Sequence, residues 1–296
     1  MPLLARALRA YLRSELRGST RLTSTLARRV GSLHHVPVVF GSTVVYIDLR
    51  DPLGQFFLQG SPWSTSPLEP DEQAIMRRVV RSGDVVFDIG AYIGLHTAHL
   101  AHLVGGNGVV HVFEPNPRRH ELLAHTAAAY GNVTLHRFGL SDRGGGVELF
   151  VPVSDEATSS LCDWTEGEYG AVERISCEVK PLDSLLAPGL LPRPDFIKCD
   201  VEGAERRVFE GARLLLDRAD APVVMYEANA RSARAFSESM SAATEWLAAL
   251  AQPGYSFFHV QPRGTLVPVP PTLTAAHDHF NLLAVPAARR GAIRLS

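Results

Sequence analysis

An α/β fold built on a mostly parallel sheet is what this sequence predicts, and three observations predict it. From residue 84 onward, apolar runs alternate with helical stretches in "DVVFDIG", "LHTAHLAHLV", "GVVHVFEP", "PRRHELLAHTAAAY" and "NVTLHRF". That strand–helix–strand order makes βαβ units. The runs are apolar throughout rather than alternating, as strands covered on both faces are. The first run ends in a glycine turn, "DIGAYIG" (88 to 94), at the carboxyl end of a strand, where such sheets bind ligands.

Composition narrows the classes. Hydrophobic content of 46% and charge of 20% describe an ordinary globular chain, and a formal net charge of −2 offers nucleic acid no basic surface. Cys162, Cys177 and Cys199 are odd in number and widely spaced. This argues against a disulfide framework and a cysteine-based zinc site, and implies a reducing, cytoplasmic setting. No apolar stretch is long enough to span a bilayer, and there is no internal repeat. Arginine supplies nearly all positive charge, Lys180 and Lys198 being the only lysines.

Residues 1 to 70 read as an extension, a cap or an oligomer contact. Leu4, Leu8, Leu12 and Leu16 draw an apolar stripe on an arginine-rich helix. A membrane-surface helix or a transit peptide would share that pattern. A terminal helix packed on the body, or on a second subunit in a homo-oligomer, is preferred, because arginine is common everywhere in this chain. Residues 36 to 50 predict two short strands around Gly41 and Ser42, residues 59 to 70 a loop, and "EPDEQAIMRRVVRSG" a helix with Pro70 near its start. Residues 71 to 296 form the main domain, with an inserted β excursion at 141 to 180. After it come the strand "PDFIKCD", a helix over 203 to 217, the strand "APVVMYEAN", a helix through "ATEWLAALA", and the strands "YSFFHV" and "FNLLAVP".

In the glycine turn, Asp88, Gly90 and Gly94 let the backbone turn tightly beside a ligand. The next strand ends at Glu114, placed to accept hydrogen bonds from ribose hydroxyls. A plain strand-to-helix turn with an incidental surface acid gives the same letters. NAD and S-adenosylmethionine both fit such a site. The spacing lacks the third glycine of the dinucleotide fingerprint, and Asp88 suits an amine better than a pyrophosphate, so S-adenosylmethionine is favoured.

At this point the sequence resembles the FkbM-type S-adenosylmethionine-dependent methyltransferases. "VVFDIGAYIGLHT", "VFEPNP", "FGLSDRGG", "KPLDSLL", "PDFIKCDVEGAERRVFEGA" and "VVMYEAN" occur in that family's order, over about residues 84 to 230. The resemblance implies a Rossmann-like class I methyltransferase fold with a mostly parallel, seven-stranded sheet. It also implies methyl transfer, mainly to oxygen, often on sugars or natural-product intermediates. Asp88, Gly90 and Gly94 would hold the methionine part, Glu114 the ribose, and Ser141 with Asp142 would lie by the adenine. Tyr92 stands where the family carries Asn; its ring and hydroxyl either line the cofactor pocket or crowd it.

In "FIKCDVEGAE" (196 to 205), Asp200 and Glu202 then stand near the transferred methyl group. Attack by a hydroxyl needs a base and an in-line arrangement. Asp200 is the first candidate and Glu202 the second, since Glu202 also suits a helix N-terminus. Lys198 shares a strand face with Asp200, to pair with an acid or to hold a substrate oxygen. His96 is a further candidate base. Asp200 with Glu227 would supply oxygen ligands if Mg²⁺ were used, although nothing in the spacing requires a metal. "HDHF" (277 to 280) resembles a chelating pair but equally suits ordinary strand pairing. N-methylation of an amine or peptide, a non-catalytic cofactor-binding scaffold and, least of all, a dehydrogenase remain as other readings. The acceptor has no legible code.

Overall fold

The computed structural model describes residues 3–292 apart from 15, 41, 60–68, 188 and 274–277. Gly41, His277 and most of the loop expected over 59 to 70 lie outside the described residues.

The chain begins with α1 (Leu3–Arg13), α2 (Ser19–Ala27), the hairpin of β1 (Val36–Phe40) and β2 (Thr43–Ile47), and α3 (Pro52–Gln59). Ala5, Leu8 and Leu12 of α1 are buried, while Leu4 and Leu16 are exposed. Steps of four residues drift about 40° around a helix of 3.6 residues per turn, which takes Leu4 off the buried face, and Leu16 lies past the end of α1. These elements bury Leu33, Val45, Ile47 and Leu58 against Ile93, Ala98 and Leu122 of the main domain. Tyr130 fastens the hairpin: its hydroxyl accepts from the Val44 amide at 2.6 Å and donates to the Val44 carbonyl at 3.0 Å.

Next come α4 (Pro70–Val79), β3 (Val85–Ile89), α5 (Leu95–Val104), β4 (Val109–Phe113), α6 (His120–Ala128) and β5 (Val133–His136). The excursion supplies β6 (Gly139–Leu140), β7 (Gly145–Pro152) and β8 (Val172–Lys180). The rhythm resumes with α7 (Asp183–Leu186), β9 (Phe196–Cys199), α8 (Glu205–Glu210), α9 (Arg213–Leu216), β10 (Val223–Asn229), α10 (Ala230–Ala235) and α11 (Ala242–Ala248). β11 (Ser256–Gln261), β12 (Thr265–Val269) and β13 (His279–Val285) follow.

The main sheet runs β12-β11-β13-β10-β9-β3-β4-β5. The five strands from β10 to β5 are parallel, and β13, β11 and β12 pair antiparallel. Strand alternation divides the core. Phe87, Ile89, Ile197, Cys199 and Tyr226 face one apolar layer, whereas Val86, Phe196, Val223 and Met225 face the other. On that second face Asp88 and Lys198 are cross-strand partners in register.

Three expectations are corrected. The sheet has eight strands, not seven. The extra one, β12, carries Pro268 and pairs only with β11, the edge position where a strand proline is tolerated. The helix over 203 to 217 is two short helices broken at Gly211 and Ala212. There the chain passes so close to the Ser141 carbonyl that a Cβ on Gly211 would lie 2.0 Å from its oxygen. α10 was not foreseen; the Asn229 side chain caps it by accepting from the Arg231 and Ser232 amides. The excursion is a separate three-stranded sheet, β6-β8-β7.

β3 and β9 press together where the parallel strands end. Gly90 has φ +81°, and a Cβ on it would lie 1.8 Å from the Asp200 carbonyl oxygen. Gly90→Ala is expected to destabilise the chain by about 2–5 kcal/mol through backbone strain and overpacking, measured by urea unfolding. An unchanged midpoint would show that the two strand ends part at little cost.

Candidate active site

Two adjoining clefts open at the carboxyl ends of β3, β4, β9 and β10. The first, about 630 Å³, is walled by Ile89, Phe113, Leu140 and Leu149 and reached by Glu114 and Asn116. The second, about 960 Å³, is lined by Asp88, His96, Lys198, Asp200, Glu202, Glu227 and Glu69, with Leu53 and Phe57 from the N-terminal layer. Gly90, Tyr92, Ala157, Asp200 and Glu202 border both.

The turn after β3 is built around left-handed residues, Gly90, Tyr92 (φ 54°) and Gly94. Asn adopts that conformation at low cost and Tyr does not. The Tyr92 amide donates to Glu114 Oε2 at 2.8 Å, and its hydroxyl donates to Asp51 Oδ2 at 3.0 Å. The Arg119 guanidinium lies 4.7 Å over its ring and ion-pairs with Asp51 and Glu156. Tyr92 therefore ties the turn to the N-terminal layer as well as bordering the clefts.

Glu114 is buried, and the amides of Tyr92 and Asn116 each donate to one of its oxygens. Burial pushes its carboxyl up to about 7, opposed by those N–H bonds. Each oxygen keeps a lone pair toward the first cleft. Asp88 is fully buried; Thr97 donates to Oδ2 at 2.6 Å, while Oδ1 has no partner among the described residues.

Lys198 is buried and donates to Asp200 Oδ2 at 2.9 Å. Desolvation disfavours its charge, but Asp200, Asp88 and Glu69 outweigh this and raise its pKa. Glu202 (φ 53°) brings a carboxylate oxygen within 4.8 Å of those of Asp200 and Glu227, and no hydrogen bond reaches its carboxylate among the described residues. Burial, then the charges of Glu227 and Asp200, raise its pKa well above the ordinary carboxylate range. Glu227 is raised by burial, while His279 at 3.3 Å opposes this. His96 pairs with Glu69, whose carboxyl is held down to about 2: desolvation raises it, and His96 more than reverses that.

Three expected residues line neither cleft. Gly94 serves packing, since a Cβ there would meet Thr126 of α6 at 3.0 Å. The Ser141 amide is spent on the Lys180 carbonyl and its hydroxyl on Asp142, which pairs with the exposed Arg143. Both border a separate depression with Arg206 and Glu210, and Gly139 and Leu140 stand at the first cleft instead. Of the "HDHF" pair, His279 is bound to Glu227. Sequence reading missed Asp51, Glu69, Arg119 and Glu205. Glu205 was the most legible of these, as the acid that opens α8. It accepts from the Val201 and Gly203 amides at 3.0 and 3.3 Å, the helix-terminal role considered for Glu202.

The sequence profile of the FkbM methyltransferase domain matches residues 88–257. Over 144 residues the chain is 32% identical to the hexuronic acid methyltransferase AglP of Haloferax volcanii, covering 47% of this chain and 56% of that protein. The match thus spans little more than half the relative's length. Among solved structures, methyltransferase FkbM from Methylobacillus flagellatus KT is 18% identical with a TM-score of 0.44, covering 78% of this chain and 52% of that one. Cofactor-bound Rv0187 from MTB is 15% identical with a TM-score of 0.42, covering 94% of each. The parallel sheet and the glycine turn at its carboxyl edge form a Rossmann-like α/β domain, and the family match makes it a methyltransferase domain. The chain belongs to the FkbM methyltransferase family.

Burial, then the charge of Glu227, push Glu205 up to about 8, against the N–H bonds it accepts. The folded protein therefore holds a proton there that the unfolded chain releases near the ordinary value of 4.5. The associated stability is present below that value and lost as pH rises through about 8. Glu205→Gln keeps an acceptor and carries no charge. It is expected to melt like the wild type at low pH and to be more stable by a few kcal/mol above the pKa of Glu205, read from melts across pH. Parallel curves for the two proteins would show that Glu205 is not buried with a proton.

Proposed function

We propose that this chain transfers a methyl group from S-adenosylmethionine to a hydroxyl of a small polyhydroxylated acceptor, a sugar or a sugar-bearing natural product. The observation that carries the reading is the second cleft: it opens beside the first, shares Gly90, Asp200 and Glu202 with it, and contains in Glu202 a half-buried carboxylate of raised basicity with no hydrogen-bond donor among the described residues. The apolar walls of the first cleft suit an adenine. The open lone pairs of Glu114 suit ribose hydroxyls, and the unpartnered Asp88 Oδ1 suits an ammonium. When bound, S-adenosylmethionine supplies an electrophilic methyl group.

Glu202 replaces Asp200 as the preferred base. Asp200 is committed to Lys198, whereas Glu202 faces the cleft unpaired. It would accept the acceptor's hydroxyl proton while Asp200 and Lys198 hold a neighbouring oxygen. The name of the Haloferax relative supports a sugar acceptor. The acids of the second cleft outnumber its cations, which favours a neutral polyol over a uronate.

A divalent cation is the second reading, because ligand atoms of Asp200, Glu202 and Glu227 lie within 4.8 Å of one another, an oxygen set that suits Mg²⁺. Two of the three already have cationic partners, Lys198 and His279, which favours the metal-free reading. Turnover that survives EDTA supports it; loss restored by Mg²⁺ supports the second. Among the described residues no helix is long and apolar enough to cross a membrane.

S-adenosylhomocysteine is expected to raise the melting temperature by mass action, and Glu114→Ala to weaken its binding by about 1.5–3 kcal/mol. Equal affinity in a folded variant would remove Glu114 from the site.

A base must be ionised to act, so kcat/KM is expected to rise with pH through an acid limb above 4.5, the ordinary glutamate value. Glu202→Gln should abolish that limb and lower turnover by roughly 10²–10⁴-fold, with donor binding nearly intact. Full turnover in Glu202→Gln with a dead Asp200→Asn would return the role to Asp200. Lys198→Arg reports on the lysine: a loss confined to stability assigns it to the buried ion pair alone, and lost turnover in a folded variant that still binds S-adenosylhomocysteine assigns it to a substrate oxygen.

A further inference from the structure

His35, Glu121 and His125 come together on the side of the molecule where the N-terminal layer meets α6. Glu121 and His125 stand four residues apart on α6, hence on one face of the helix. His35 enters from the segment just before β1; its Nε2 lies 3.2 Å from Glu121 Oε1, and its ring centroid 4.4 Å from that of His125. One ligand atom from each residue lies within 4.8 Å of the other two. Nothing in the methyl-transfer reading uses these residues.

Two imidazoles and one carboxylate are a donor set for zinc and its neighbours rather than for magnesium. The scaffold is firm on both sides. α6 is a regular helix, and His34 Nε2 is hydrogen-bonded to the Ala27 carbonyl at 2.8 Å, which fixes the backbone beside His35. The Tyr46 ring, 5.3 Å from His125, backs that imidazole. Small side-chain rotations suffice to bring the three atoms to ligating distances of about 2.0–2.2 Å. Glu121 and His125 are exposed, leaving room for water as a fourth ligand.

We propose that His35, Glu121 and His125 form a site for a borderline transition-metal ion such as Zn²⁺, which clamps the N-terminal layer to α6. The layer so clamped carries Leu53 and Phe57 at the second cleft, and Asp51 against Tyr92 and Arg119. Metal binding here would hold that roof in place, separately from any cation at Asp200, Glu202 and Glu227.

The test is calorimetry and thermal melting of the untagged full chain with Zn²⁺, with Co²⁺ as a spectroscopic stand-in and Mg²⁺ as a control. The expected result is Zn²⁺ binding that raises the melting temperature, Co²⁺ absorption bands indicating nitrogen ligation, and no such response to Mg²⁺. His125→Ala and Glu121→Ala alter exposed side chains and should fold. Each should weaken Zn²⁺ binding at least tenfold and remove most of the thermal shift. His35→Ala should do the same, but the proposal does not depend on that variant being stable. No Zn²⁺ binding at micromolar concentration, or affinity within twofold of wild type in both exposed-residue variants, would overturn it. Zn²⁺ binding lost only on changing Glu227 would assign the ion to the carboxylate cleft and overturn it equally.

Discussion

The ammonium of Lys198 is the interaction on which the acidic end of this sheet depends. Asp88, Asp200 and Glu69 all act on it, and burial of Lys198 or Asp88 without a countercharge would be costly. Parallel pairing of β3 with β9 puts Lys198 opposite Asp88, and alternation puts Asp200 on the same face two residues on. The ion pairs are therefore built by strand register rather than by flexible side chains meeting at a surface. A buried pair of this kind adds little net stability over an apolar one, yet losing one partner costs about 3–5 kcal/mol. This explains a lysine here in a chain that writes nearly all its other cations as arginine. An ammonium is compact and fits between strand ends that already touch at Gly90 and Asp200.

Around that centre, identical carboxyl groups acquire different properties from their partners. Glu69 beside His96 is held down to about 2. Glu114 is buried among backbone amides and rises to about 7, and Glu205, buried near Glu227, rises to about 8. Glu202 is half-buried near Glu227 and Asp200 with no donor of its own among the described residues and rises well above the ordinary carboxylate range. Separation of this sort gives neighbouring carboxyl groups of the two clefts different protonation states at one pH.

The N-terminal layer is part of the site rather than an appendage to it. Tyr92 holds a left-handed position that Asn occupies more cheaply, and its hydroxyl and ring meet Asp51 and Arg119. Arg119 also reaches Glu156 in the loop between β7 and β8. One cation and one phenol thus join the glycine turn, the N-terminal layer and the excursion around the two clefts. The same elements contribute Leu53, Phe57 and Ala157 to the second cleft, so their sequences shape what the cleft admits.

The α/β class, the five parallel strands, the glycine turn and Asp88, Glu114, Lys198, Asp200 and Glu202 were legible from the sequence alone. Each rests on local pattern: apolar runs of strand length, glycines where the backbone must turn, and acids at strand ends. The eighth strand was hidden because Pro268 argues against a strand until an edge position is available for it. The broken helix was hidden because Gly211 yields to the Ser141 carbonyl, a neighbour about 70 residues away in the chain. Ser141 and Asp142 line a separate depression rather than either cleft, while Glu69 reaches the second cleft, and Asp51 and Arg119 reach Tyr92 beside it, from segments with no motif of their own. Chain-local pattern decided which residues stand at the strand ends that border the clefts. Which carboxylate is paired and which is left basic was decided only by packing, because a pKa depends on the charges and solvent around a group and those come from distant parts of the chain.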